Sequence, residues 1–168
     1  MAGFCNYHYV ACGHKPGYQI AFMMYFEDME VGSVYELGSY TVSEEEILEF
    51  AQKYDPQPFH VDEEAARQSM FGGIIASGWH TASICMRLYV DAILNKAASM
   101  GSPGVDQLRW KRPVRPGDTL TGHFRITECK PFRKGIGIVK GVAELKNQEG
   151  KLVMNFLGQG MFGRQEDG

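Results

Sequence analysis

Asp55-Pro56-Gln57-Pro58-Phe59-His60 lies a short distance ahead of Gly72-Gly73-Ile74-Ile75-Ala76-Ser77-Gly78-Trp79-His80. The first segment places a carboxylate and an imidazole five positions apart on a loop that two prolines stiffen. The second leads into a long apolar segment that the pattern predicts to be a helix. A base, its partner and the free N–H groups of a helix start are what the addition of water to an activated carbonyl compound requires.

The segment before the proline loop has the features of a helix. Ser43-Glu44-Glu45-Glu46 is typical of a capping box, with Ser43 as the N-cap and Glu46 reaching back to it. Apolar residues then recur at helical spacing to about Tyr54. Pro56 ends the pattern, because the residue before a proline avoids helical angles.

The segment after the loop predicts two helices of different length. Asp62 is expected to be the N-cap of a short helix that ends near Ser69. The longest candidate helix runs from Ser77 to about Ala98. Its length and its few charges indicate that it is mostly buried.

The remaining pattern is that of β-strands. One strand is expected before the first helix, and in the second half of the chain apolar residues alternate between turn signals. The four predicted strands are Val34–Val42, Thr119–Cys129, Ile136–Leu145 and Leu152–Phe162. One long helix followed by antiparallel strands predicts the α+β class, with a sheet wrapped on a helix.

Length and composition limit the class of protein. The 168 residues, of which 44% are apolar and 22% charged, are typical of one globular domain. The net charge of −3 gives no reason to expect a nucleic acid partner. No apolar run is long enough to cross a membrane, and no secretory signal pattern is seen. The 4 cysteines lack paired spacing, which favours reduced thiols in a cytoplasmic protein.

Residues 1–24 differ from the rest and are expected to form an extension outside the fold. They are rich in Gly, Tyr and His and have no clear period, whereas the pattern becomes regular from Tyr25. They contain four residues of the kinds that bind zinc: Cys5, His8, Cys12 and His14. Because their spacing fits no common zinc finger, we favour incidental thiols and imidazoles, and we expect no metal site.

Several motifs, in the same order, resemble the MaoC-like dehydratase family, relatives of the (R)-specific enoyl-CoA hydratases. They are Asp55 to His60, the run from Gly72 to Thr81, and Arg112-Pro113-Val114-Arg115-Pro116-Gly117-Asp118. The resemblance covers roughly residues 25–163. It implies a homodimer with a hot-dog fold, in which a curved antiparallel sheet wraps a long central helix. The domain is accordingly expected to span residues 25–164, with a C-terminal tail at 165–168.

The resemblance also implies roles for single residues. Asp55 and His60 resemble the catalytic pair that holds and activates water, and which of the two is the base stays open. Gly78 resembles the glycine whose backbone N–H binds the thioester oxygen. A helix start suits an enolate-like oxygen on physical grounds too, since it offers unpaired N–H groups and a positive dipole end. The neighbours expected to contact substrate are Ser77, Trp79 and His80.

Two of these positions leave alternatives open. His80 is expected either to line the pocket or to pack inside the protein, because one ring in a helical turn fixes no direction. Ser77 stands where the family often has His, and Gln57 stands where it often has Asn. These departures concern the choice of substrate more than the type of reaction.

The expected reaction is the reversible syn hydration of a trans-2-enoyl-CoA to an (R)-3-hydroxyacyl-CoA. Coenzyme A belongs to the substrate, and no further cofactor is expected because the thioester itself acidifies the α-carbon. A hot-dog acyl-CoA thioesterase is one alternative, but that class uses a carboxylate on a helix, and the first acidic residue after Gly78 is Asp91. A non-catalytic acyl-thioester binding protein is the other, and the presence of both Asp55 and His60 argues against it.

Overall fold

The computed structural model describes residues 23–165. In this part of the chain, one strand and three short helices precede a long helix, and four strands follow it. In chain order the elements are β1 (Val34–Thr41), α1 (Glu44–Tyr54), α2 (Pro58–Val61), α3 (Glu63–Gln68), α4 (Gly78–Ala92), β2 (Gly104–Trp110), β3 (Thr119–Arg133), β4 (Ile136–Lys146) and β5 (Leu152–Gly163). The zinc alternative on Cys5, His8, Cys12 and His14 falls outside the described residues.

The five strands form one antiparallel sheet in the order β1-β3-β4-β5-β2. Helix α4 packs against this sheet, and its closest strand neighbours are β1 and β3. The predicted α+β arrangement of a sheet around a central helix is therefore confirmed. None of the helices in residues 23–165 is long and apolar enough to span a bilayer.

The core lies between α4 and the inner face of the sheet. Helix α4 contributes Ile84, Cys85 and Leu88, and alternate residues of β3 and β4 face it, as the two-residue period of a strand requires. Burial raises the pKa of the Cys85 thiol to about 12, so the thiol stays protonated and packs as a small apolar group. Cys85 and Cys129 are both free, in agreement with the reduced thiols predicted for the chain.

The predicted C-terminal end of the long helix is wrong. α4 ends at Ala92, a single 3₁₀ turn follows at Leu94–Lys96, and Ala97 is extended at φ −123° and ψ 156°. Ala97 forms an isolated bridge with Met24, whose N–H donates to the Lys96 carbonyl at 2.8 Å. Backbone pairing with a distant segment thus overrides the helix propensity of the alanines. Met24 accordingly belongs to the packed structure.

Strand β2 was not predicted. Its seven residues are almost all exposed, so no alternation of apolar and polar residues marks it in the sequence. The pairing with β5 also shifts register between Asp106 and Arg109, where Gln107 has a φ of 52°. The irregular, exposed strand nevertheless forms one edge of the sheet.

The capping box at α1 is half confirmed. Ser43 Oγ accepts a hydrogen bond from the Glu46 N–H at 3.2 Å, as predicted for the N-cap. The Glu46 carboxylate does not reach back to Ser43. It accepts instead from the Tyr40 hydroxyl at 2.9 Å and lies 3.1 Å from His80 Nε2. A tertiary contact has therefore taken the side chain that the local motif would use.

The predicted N-cap at Asp62 is confirmed, and its removal is expected to lower stability. Asp62 Oδ1 accepts a hydrogen bond from the Ala65 N–H at 2.9 Å. Asp62→Ala should lower the free energy of unfolding by about 1 kcal/mol, as measured by urea denaturation. Asp62→Asn keeps an acceptor of the same shape and is the control. Equal losses in both variants would show that the side chain stabilises the protein in some other way.

The sheet edge at β2 is expected to contact a second copy of the chain, so that the protein forms a homodimer. Val105 and Trp110 on this edge are both 46% exposed, and an exposed apolar edge strand is usually paired or covered. We expect light scattering at micromolar concentration to give twice the mass of the chain. Val105→Lys should weaken this assembly, whereas Val34→Lys on β1, the opposite edge, should leave it intact. A fully active monomer would contradict the prediction.

Candidate active site

A tight bend brings Asp55 and His60 together. Asp55 caps the C-terminus of α1, and its N–H donates to the Ala51 carbonyl at 2.8 Å. Pro56 prevents a further helical turn, and α2 then begins at Pro58 with Gln57 as its N-cap. The single turn of α2 directs His60 back towards α1. Asp55 Oδ2 and His60 Nε2 are 3.5 Å apart as a result. The sequence pattern alone could not show the bend that brings these side chains together.

The backbone holds the imidazole of His60 in one orientation. His60 is only 4% exposed, and its Nδ1 lies 2.7 Å from the carbonyl oxygen of Ile75. A carbonyl oxygen can only accept, so Nδ1 carries the proton. In the neutral ring Nε2 is then an acceptor, and it faces Asp55 Oδ2. The ring also packs edge-on against Phe59, with the two centroids 4.5 Å apart.

The carboxylate of Asp55 is held by two further side chains. Gln57 Nε2 donates to Oδ1 at 2.8 Å, and Ser77 Oγ donates to Oδ2 at 2.6 Å. The bond from Ser77 is the main cause that lowers the pKa of Asp55 below its ordinary value. The bond from Gln57 and the proximity of His60 act in the same direction, while partial burial opposes them. Asp55 is therefore ionised at neutral pH.

Gly78 is the first residue of α4, and an indole occupies the space where a side chain would be. As the first helical residue it has no intrahelical carbonyl for its N–H. Trp110 Nε1 donates to the Gly78 carbonyl at 2.8 Å. A Cβ on Gly78 would lie 2.5 Å from Trp110 Cε2. This close approach explains why the position holds glycine.

His60 and Gly78 line one pocket of about 340 Å³. The imidazole and the start of α4 therefore face the same volume, next to the Asp55 carboxylate. Apolar and aromatic side chains form much of the wall, and two basic residues, Lys111 and Arg112, also line it. The other lining residues are Phe59, Phe71, Ile75, Ala76, Thr81, Trp110, Pro113 and Val114. Such a largely apolar pocket with a few convergent polar groups is typical of a small-molecule site.

None of the three residues predicted to contact substrate lines this pocket. Ser77 is fully buried and donates to Asp55, which corrects the prediction for this residue. Trp79 is 59% exposed and packs edge-on against Trp110, a residue of the pocket wall. Its contact with substrate stays a prediction.

His80 points to a different part of the protein, and its contact with substrate stays a prediction. It is 3% exposed, stacks on Phe50 with centroids 4.8 Å apart, and faces Glu46. It lines a separate cavity of about 390 Å³ between α1 and α4. His80 combines the two alternatives weighed for it, since its ring packs on Phe50 and also borders this cavity. The sequence alone could not decide the direction of this side chain, because one ring in a helical turn fixes none.

Three parts of the site were not found from the sequence. Gln57 had been noted only as a departure from the family pattern, although it holds Asp55. Trp110 lies on strand β2, which was not predicted. The partner of His60 is the backbone carbonyl of Ile75, and because every residue has such a carbonyl, the type of residue at position 75 does not reveal the contact. The proline spacing was the only local signal for the bend.

Other arrangements of chemical groups are limited in this region. The first turn of α4 holds no acidic residue, and Asp91, near the opposite end of the helix, is paired with Arg87 at 2.6 Å. Within residues 23–165 no cluster of three or more His, Cys, Asp or Glu side chains is placed to hold a metal ion. His60, with Asp55 beside it, and the start of α4 are therefore candidates to act on a ligand in this pocket.

Comparison with known proteins is consistent with this site. The sequence profile of the MaoC like domain matches residues 28–148. The chain is 31% identical over 126 residues to a Bacillus subtilis protein called uncharacterized protein YdeM, covering 75% of this chain and 89% of that protein. It is 35% identical over 113 residues to an (R)-specific enoyl-CoA hydratase of Rhodospirillum rubrum, covering 66% and 74%.

A solved structure shows the same fold. The crystal structure of the MaoC-like dehydratase from Rhodospirillum rubrum superposes with a TM-score of 0.79 at 39% sequence identity. The match covers 84% of this chain and 98% of that one.

Proposed function

The chain belongs to the MaoC-like dehydratase family and has its hot-dog fold, and we propose that it catalyses the reversible syn hydration of a trans-2-enoyl-CoA to an (R)-3-hydroxyacyl-CoA. The family and the relatives named hydratase or dehydratase support water addition and elimination in general. The thioester substrate, the (R) product and a cytoplasmic location are part of the proposal.

The pairing of Asp55 with His60 is the observation that carries the proposal. When His60 is neutral, its Nε2 and Asp55 Oδ2 are both acceptors, 3.5 Å apart, so they cannot hydrogen-bond to each other in that state. A water molecule in front of them can donate one hydrogen to each. The pair then directs a lone pair of the water oxygen away from itself, towards the β-carbon of a bound enoyl group.

The proton and electron changes follow from this position. One of the two acceptors takes a proton as the water oxygen bonds to the β-carbon, and the electrons of the double bond move onto the thioester oxygen. The Gly78 N–H at the start of α4 stabilises that oxygen. The same acid–base pair then returns a proton to the α-carbon. Delivery of both groups from one side gives syn addition.

The substrate supplies the rest of the chemistry. A thioester acidifies its own α-carbon, so we propose that no metal or prosthetic group takes part. Lys111 and Arg112 line the pocket, and cationic side chains favour phosphate groups such as those of coenzyme A. Arg112 Nη1 donates to the Leu152 carbonyl at 2.6 Å, which fixes the guanidinium at this wall.

A panel of substrates tests the proposal. The purified full chain is incubated with trans-2-enoyl-CoA thioesters of short, medium and long chain length and with branched ones, and the loss of conjugated ultraviolet absorbance is followed. Chiral analysis of the product checks the (R) configuration. We expect hydration of at least one thioester, with saturation kinetics. Absence of hydration across the panel would refute the proposal.

The same samples separate the alternatives. A thioesterase would release free coenzyme A, which a thiol reagent detects, and the absence of an acidic residue in the first turn of α4 argues against this activity. A non-catalytic binding protein would bind the thioesters in a calorimeter and leave them unchanged. The close and well-supported Asp55–His60 pair favours turnover over both outcomes.

A further inference from the structure

Ser77 connects the acid–base pair to the start of the central helix. The residue is fully buried, at 0% exposure. Its Oγ donates to Asp55 Oδ2, the oxygen that faces His60, at 2.6 Å. The same Oγ accepts a hydrogen bond from the Trp79 N–H at 3.2 Å. One hydroxyl group therefore contacts both the catalytic carboxylate and the first turn of α4.

The Ser77 hydroxyl is the donor in one of these bonds and the acceptor in the other, and this fixes the orientation of its proton. An ionised carboxylate only accepts, so the single hydroxyl proton of Ser77 must point to Asp55. The lone pairs are then left for the Trp79 N–H. Because Asp55 and Ser77 are 22 residues apart in the chain, this bond also ties the end of α1 to the beginning of α4.

We propose that Ser77 is a positioning residue, which sets the Asp55 carboxylate at a fixed place relative to the Gly78 N–H. This inference rests on the proposed hydration, in which the carboxylate acts at the β-carbon and the Gly78 N–H acts at the thioester oxygen. These two atoms of the substrate are a fixed distance apart, so the two protein groups must be placed to match. A small error in such a placement lowers the rate strongly.

A simple helix-capping role predicts different behaviour. An N-cap needs only an acceptor for the N–H groups of the first turn, as Ser43 shows at α1 with an Oγ 3.2 Å from the Glu46 N–H. Glycine replaces serine at an N-cap with little loss of stability, whereas alanine does not. Both Ser77→Gly and Ser77→Ala therefore remove the bond to Asp55, but Ser77→Gly should do so with a smaller loss of helix stability than Ser77→Ala.

The test compares these two variants with Ser43→Gly, the matched change at the N-cap of α1, the end of that helix opposite Asp55. We expect kcat/KM for the best enoyl-CoA to fall roughly 10- to 100-fold in both Ser77 variants, the worth of a hydrogen bond to a charged group, and to stay near wild type in Ser43→Gly. Loss of the main interaction that lowers the pKa of Asp55 raises that pKa. The titration of the Asp55 carboxyl group should therefore move to higher pH in both Ser77 variants.

A measurement without turnover completes the test. Carbon-13 NMR of the Asp55 carboxyl group, assigned with Asp55→Asn, should show a higher pKa in Ser77→Gly than in the wild type. A wild-type pKa of Asp55 in Ser77→Gly, or a wild-type kcat/KM in that variant, would overturn the inference. If the wild-type protein hydrates no thioester, the proposed function fails, and the NMR titration still decides: an unchanged pKa of Asp55 refutes the contact, and a raised one supports it.

Discussion

Asp55→Asn and His60→Ala should each lower kcat for enoyl-CoA hydration by about 10²- to 10⁴-fold, the usual contribution of general acid–base catalysis. Asp55→Asn keeps the shape of the side chain and removes the negative charge that attracts the water proton. His60→Ala removes the Nε2 acceptor, which lies 3.5 Å from Asp55 Oδ2. Both residues lie on the short segment between α1 and α3, so the core between α4 and the sheet should remain folded.

The double variant is the sharper test. If both residues hold one water, their losses do not add, and Asp55→Asn/His60→Ala should be little slower than the poorer single variant. Multiplied losses would mean that the two residues act in separate steps. Asp62→Ala is the control, since a lost helix cap should reduce stability while turnover per folded molecule is kept. Near-wild-type hydration by folded Asp55→Asn would refute the catalytic role of Asp55.

Gly78→Ala should have the second large effect. The new Cβ would lie 2.5 Å from Trp110 Cε2 and 2.8 Å from Trp110 Nε1, so either the indole or the start of α4 must move. Movement of α4 displaces the N–H that stabilises the thioester oxygen. Loss of one such donor lowers kcat by about 10²- to 10³-fold in acyl-transfer enzymes, and we expect a decrease of roughly 100-fold here. Kinetics at saturating substrate measure it.

Removal of the indole provides the control for Gly78→Ala. In the Trp110→Ala background the added methyl group no longer meets the ring, so Gly78→Ala should cost much less there than in the wild-type background. The hydrogen bond from Trp110 Nε1 to the Gly78 carbonyl is lost in that background, and Trp110→Ala alone sets the reference. An equal decrease in both backgrounds would show that the close approach of Trp110 does not explain the glycine.

Local signals predicted the parts of the fold that depend on neighbouring residues. The N-caps Ser43 and Asp62 were found because a cap is a short-range motif. The end of α4 was not, because Ala97 leaves the helix to pair with Met24, far away in the chain. Strand β2 was not predicted because its exposed residues show no alternation of apolar and polar side chains.

The residues of the candidate site were also predictable from the sequence only in part. Asp55, His60 and Gly78 came from the motif that resembles a known family; His60 and Gly78 line one pocket, and Asp55 lies 3.5 Å from His60. The different tasks of Ser77 and His80 depend on which distant side chain each one meets, Asp55 in one case and Glu46 in the other. Since both residues lie within one turn of the same helix, residue type and helical spacing alone could not separate them.

The hydrogen bond from His60 to Ile75 has a consequence for how this enzyme family can diversify. The acceptor is a backbone carbonyl, so no substitution at position 75 that preserves the chain path removes it. The same residue also lines the pocket. Evolution can therefore exchange the side chain that meets the substrate while the protonation pattern of the imidazole is inherited unchanged. Selectivity and acid–base chemistry are thus separable traits at a single position.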